Sequence, residues 1–157
     1  MLKLSYRCIL PLLLLQGTAL AAPAPLLKVI VTSAPTPTNS YTNGCTLDDR
    51  GQVIIEHKLW LFPSGPGLTS KEVRPASLSI KNIKAVIAEA ALGNITGMDP
   101  LGGETYKYFA YQKQMGGSLK EIFLLNKNGL GLSNDSPMVE PLSRFVDSIC
   151  GDMQLPQ

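Results

Sequence analysis

Ten residues, Gln52-Val53-Ile54-Ile55-Glu56-His57-Lys58-Leu59-Trp60-Leu61, decide how this chain is read. Val53, Ile55, His57, Leu59 and Leu61 fall on one face of an extended backbone. Gln52, Ile54, Glu56, Lys58 and Trp60 fall on the other. Period-two alternation with one mostly apolar face is the pattern of a half-buried antiparallel strand. Pro63-Ser64-Gly65-Pro66-Gly67 then breaks it, because proline lacks a donor and glycine permits positive φ. Leu68 to Arg74 reads as the returning strand, ended by Pro75.

Toward the C-terminus the period changes. Ser79 is placed as the N-cap of a helix running to Leu92, since Ile80, Ile83, Val86, Ile87, Ala90 and Ala91 recur at helical spacing. Gly93 suits a left-handed stop. Asn94 to Gly103 reads as a loop. Thr105–Lys113 and Leu119–Asn126 read as a hairpin turning at Met115-Gly116-Gly117. Met138, Leu142, Phe145, Val146 and Ile149 form a second helical stripe, with Pro141 in its first turn because a proline deeper inside would break the backbone bonding. The order strand, strand, helix, strand, strand, helix predicts an α+β fold of two layers: a mostly antiparallel four-stranded sheet (ββαββα order) packed by two helices.

Toward the N-terminus, Lys3 and Arg7 precede an apolar run from Cys8 to Leu15, and the stretch closes on Ala19-Leu20-Ala21. That plan predicts a secretory signal peptide over residues 1–21. Its apolar run is too short to span a bilayer, so no stable membrane span is expected once it is removed. Residues 22–44, with Pro23, Pro25, Pro35 and Pro37 among Thr, Ser and Asn, read as a flexible segment in which 26–31 could pair as an edge strand. A single compact domain is expected over 45–150, followed by a tail over 151–157.

Two cysteines, Cys45 and Cys150, remain beyond the leader, and an even pair in an exported chain predicts a disulfide. It would join the start of the sheet to the end of the last helix. Charge points away from nucleic acid. All twelve acidic residues lie beyond residue 21, whereas two of the fourteen bases lie within the leader, leaving twelve against twelve. A nucleic-acid partner calls for a surplus of Lys and Arg to displace counterions, and none remains.

The residues predict no catalytic, cofactor or metal site. His57 is the sole histidine and lies on the mostly apolar face of its strand. No Gly-x-Ser-x-Gly turn accompanies it. One histidine and two distant cysteines make no tetrahedral metal set. Asp48-Asp49-Arg50-Gly51 lacks the spaced oxygen ligands of a calcium loop and reads as a turn. The glycine pairs lack the lysine of a phosphate loop. Asn94-Ile95-Thr96 and Asn134-Asp135-Ser136 match the glycosylation sequon. Glu56 with Glu104 or Glu121 is the one carboxylate pairing that could serve a glycosidase-like site. Trp60 and Phe62, beside the Pro-Gly loop, are the candidate partner-binding residues, because aromatics next to a rigid loop can anchor another protein.

The residues therefore predict a periplasmic or extracellular, non-enzymatic domain that binds another exported protein, as an inhibitor or envelope accessory. The alternative is a small secreted hydrolase using His57 or a carboxylate pair. Carriage of a small apolar ligand is a third reading, and it requires a cavity between sheet and helices.

Overall fold

The computed structural model describes residues 22–33, 36–76, 79–98, 104–127 and 131–151, and for Leu68 the backbone alone. The leader-like residues 1–21 and the tail beyond residue 151 lie outside the described residues. The sheet is much larger than four strands. β1 (Pro25–Thr32), β2 (Asn39–Asp48), β3 (Gln52–Leu61) and β4 (Gly65–Pro75) come first, followed by α1 (Ile80–Ala90). The chain continues through β5 (Ile95–Thr96), β6 (Thr105–Lys113), β7 (Leu119–Lys127) and β8 (Ser133–Asn134) to α2 (Val139–Cys150). The eight strands form one antiparallel sheet in the order β4-β3-β2-β1-β6-β7-β8-β5. The molecule is mostly β, and the expected four-stranded ββαββα layer is corrected accordingly.

The correction comes from the Pro/Thr-rich stretch. β1 is the middle of the sheet rather than an edge, with Val29 opposite Cys45 of β2 on one side and Tyr108 of β6 on the other. Leu26, Leu27, Val29 and Val31 are buried in this central strand, while Lys28 and Ile30 between them are only partly covered. Pro23 and Pro25 interrupt nothing, since they precede the strand or begin it, where a missing donor costs little. β2 escaped notice because its outward residues, Ser40, Thr42, Gly44 and Thr46, are small or polar. Only Cys45 and Leu47 mark its inner face as apolar.

Inward residues of five strands form the core. Leu27, Val29 and Val31 of β1 meet Cys45 and Leu47, Val53 and Ile55, Tyr108 and Ala110, and Ile122 and Leu124. Ile87 and Ala90 of α1 and Val139, Leu142 and Val146 of α2 cover this face. Each buried Val, Leu or Ile among them contributes about 1.5 to 3 kcal/mol by leaving water. Neither helix is long enough to persist alone, so the sheet holds both in place. Cys45 in β2 and Cys150 at the end of α2 are joined by a disulfide, with Cα atoms 6.0 Å apart, closing the domain.

Buried polar groups tie the elements together. Asp48 Oδ1 accepts from the backbone N–H groups of Arg50 and Gln52, which shapes the β2–β3 turn. Asn134 donates to the carbonyls of Ala90 and Phe123 and accepts from the Ser136 N–H, so one amide joins the end of α1, β7 and the approach to α2. Gly93 passes close beside it. A Cβ at Gly93 would overlap Asn134 Oδ1 and lie 2.7 Å from Ser136 N, so glycine is required for close approach, and its φ is not positive. The left-handed stop expected there is replaced by this packing reason.

Candidate functional site

β3 pairs with β2 through Ser40↔Trp60 and Asn39↔Leu61, and with β4 through Trp60↔Pro66 and Leu61↔Gly65. Along β3 the inner face is buried at Val53 and Ile55 but only partly covered at His57 and Leu59. By the end of the strand Trp60 is 44% exposed, Leu61 40% and Phe62 51%. The alternation continues to the tip, but the helices do not. Leu61 is left uncovered for that reason, Trp60 lies on the face away from the helices and Phe62 follows in the turn, so three consecutive large apolar side chains are exposed at one end of the sheet.

That end is pinned at several points. The Phe62 N–H donates to the carbonyl of Thr38 at 2.9 Å, fastening the β3–β4 turn to the β1–β2 turn. Thr36 Oγ1 donates to the Asn39 side chain at 2.8 Å and accepts from the Asn39 N–H at 3.0 Å, closing the second turn. Gly65 has φ +86°, which a side chain would resist. A Cβ on Gly67 would lie 3.1 Å from Leu61 Cδ1, so glycine gives the Leu61 side chain its place. A β-bulge lies between Lys58 and Trp60 in the β3–β4 ladder. Such irregularities re-aim side chains at the rims of sheets. The arrangement can present an apolar, pre-ordered anchor, and ordering it on contact would cost little entropy.

Trp60 and Phe62, named from the sequence, thus lie together at this tip. Leu61 was missed because its place in the alternation assigns it to the core. The signal that could have exposed it is the adjoining Phe62-Pro63, which ends the strand before the helices reach it.

The residues of the hydrolytic reading are dispersed. Glu56 and Glu121 are separated by four strand spacings across the sheet, about 19 Å, and Glu56 and Glu104 by three, about 14 Å. Paired glycosidase carboxylates stand about 5 to 10 Å apart. Glu56 meets Lys71 at 3.6 Å, while Glu104 and Glu121 accept from the hydroxyls of Tyr106 and Tyr111. His57 Nδ1 lies 3.0 Å from Oδ1 of the buried Asn43, and Ser70 is its neighbour on β4. Among the described residues no side-chain hydrogen bond joins His57 to Ser70, and no three His, Cys, Asp or Glu side chains group closely enough to hold a metal ion.

Two further features bear on function. A cavity of about 240 Å³ between α1 and the ends of β1, β6 and β7 is lined by Leu26, Ile87, Tyr111 and Leu119, with Lys84 and Lys113 among its polar groups. It is the kind of space that the ligand-carriage reading requires. On β6, Tyr108 donates its hydroxyl to Asp147 Oδ1 of α2 at 2.6 Å, Lys127 of β7 pairs with the other oxygen, and the same ammonium lies 4.8 Å from the Tyr108 ring centroid. Burial, followed by the bond to Asp147, pushes the Tyr108 hydroxyl far above its ordinary range. It is therefore a fixed donor rather than a base, and the cluster buckles α2 to the sheet. Among the described residues no helix is long and apolar enough to cross a membrane, a finding that does not bear on β-barrels. No family model, no curated protein and no solved structure matches the chain significantly.

Proposed function

We propose that the chain is an exported, non-enzymatic binding domain that grips another exported protein through the Trp60-Leu61-Phe62 tip, as an inhibitor or envelope accessory. One observation carries this reading: three contiguous large apolar side chains, 40–51% exposed, are presented on a braced turn. Bulky aromatics at the centre of a contact carry a large share of binding energy between proteins. Export is supported by the basic, apolar and small-residue order of residues 1–21, and by the Cys45–Cys150 bridge, a bond that persists in oxidising compartments.

The test compares capture of partners from the native extracellular or periplasmic fraction by the wild-type protein and by the Trp60→Ala/Phe62→Ala variant. Loss of about 2 kcal/mol, roughly 30-fold in affinity, is expected for a captured protein, with the circular dichroism spectrum unchanged. Equal capture by both proteins would remove the tip from the account.

A further inference from the structure

β4 is the terminal strand of the sheet, and its described side chains from Pro66 to Arg74 are exposed. A strand edge of this kind leaves a row of backbone donors and acceptors able to template another strand. What it can pair with is limited by its own charges. The bulge near Trp60 leaves Thr69 to Pro75 as its regular part, in register with Gln52 to Lys58 of β3. Val73 lies opposite Ile54 on the face away from the helices and is 51% exposed. Glu72 and Arg74, opposite Ile55 and Val53, lie on the helix side.

We infer that β4 pairs with β4 of a second copy, antiparallel and centred on Val73. A two-fold axis through the edge places each residue opposite one on the same face, so only a few registers are available. Centring on Lys71 sets lysine against lysine, and centring on Glu72 sets carboxylate against carboxylate. Centring on Val73 sets valine against valine and places Glu72 opposite Arg74 twice, once on each side of the axis. Opposite charges directly across strands stabilise pairing and like charges oppose it, so the register is selected by sign. Arg74 already donates through one terminal nitrogen to the Ile149 carbonyl, which holds the side chain while its remaining donors stay available to a carboxylate. Pro75 falls at each end of the paired stretch, opposite Lys71 of the other copy, where its missing donor costs one bond on each side of the axis. Because the two β4 strands run in opposite directions, the two Trp60-Phe62 tips point opposite ways, and a dimer presents two grips.

Sedimentation equilibrium of the purified protein, from micromolar to about 1 mM, tests this. Wild type is expected to associate reversibly to a dimer. Glu72→Arg places four arginines about the axis and should weaken association at least about tenfold. Glu72→Arg/Arg74→Glu restores opposite pairs and should return it to within about threefold of wild type. Val73→Lys, at an exposed position that does not burden folding, should abolish it. A wild-type protein that stays monomeric throughout, or a double variant no better than Glu72→Arg, overturns the inference. So does a dimer lost in Trp60→Ala/Phe62→Ala but kept in Val73→Lys, which would assign self-association to the tip.

Discussion

At Gly93 the chain leaves α1 and passes against Asn134 with no room for a side chain. Asn134 is buried because its amide serves three backbone groups at once. The pair also separates the two glycosylation sequons: Asn94 is exposed, whereas the Asn134 side chain is enclosed and spent on structure. Gly93→Ala forces either the helix end or Asn134 to move. We expect a loss of about 2 kcal/mol, measured as a lower urea midpoint with an unchanged slope. A substitution without effect would mean that the approach is looser than described. Glycine in this role was not legible from the sequence, which suggests only its usual duty at a helix end. The clash depends on an asparagine forty-one positions away.

Strands and helices are joined by contacts whose strength depends on protonation. Tyr108 ties β6 to α2 through Asp147, and Tyr111 ties β6 to β7 through Glu121. Burial raises both hydroxyls above their ordinary range, and the bonded carboxylates raise them further. In the unfolded chain these groups ionise near pH 10, as free tyrosines do. The folded form therefore holds protons that the unfolded form releases. Their contribution is complete below about pH 10 and is lost as pH rises beyond it. Thermal melts from pH 7 to 11 should show stability falling above pH 10 by about 1 kcal/mol per pH unit for each of the two tyrosines, and the Tyr108→Phe/Tyr111→Phe protein should give a flatter curve. Identical slopes for the two proteins would contradict this. At this scale much was legible. The residues of β3, β6 and β7 alternate or carry branched and aromatic bulk, and α1 and α2 carry stripes at helical spacing. β2 was hidden by its polar outward face, and β1, among prolines, was legible only as a possible edge strand over 26–31 and not as a central one.

Across the whole molecule, the Cys45–Cys150 bridge closes a loop with a sequence separation of 105 residues. It joins β2, near the middle of the sheet, to the last residue of the final helix, so reduction frees the chain end from the core. In the chain-entropy account a loop of this size is worth about 4 to 5 kcal/mol. Against a typical net stability of about 5 to 15 kcal/mol, that loss is large. The Cys45→Ala/Cys150→Ala protein is expected to unfold at much lower denaturant, with α2 exchanging its amide hydrogens before the sheet does. Similar midpoints for bridged and unbridged proteins would show that packing alone holds the helix.

Periodicity, turn residues and cysteine number are properties of short stretches or of simple counting, and they were enough for the helices, the β3–β4 and β6–β7 hairpins and the covalent closure. Strand order is of another kind. Residues 25–32 became the middle of an eight-stranded sheet because an apolar strand gains most where neighbours flank it on both sides, and that gain depends on segments far away in the chain. The same long-range packing set Glu56 and Glu121 on distant strands, turned His57 toward Asn43, left Leu61 beyond the reach of either helix and gave Trp60 to the uncovered face. Burial is settled only when distant segments meet, so the exposure of Trp60, Leu61 and Phe62 is a consequence of tertiary structure, although the residues themselves are plain in the sequence.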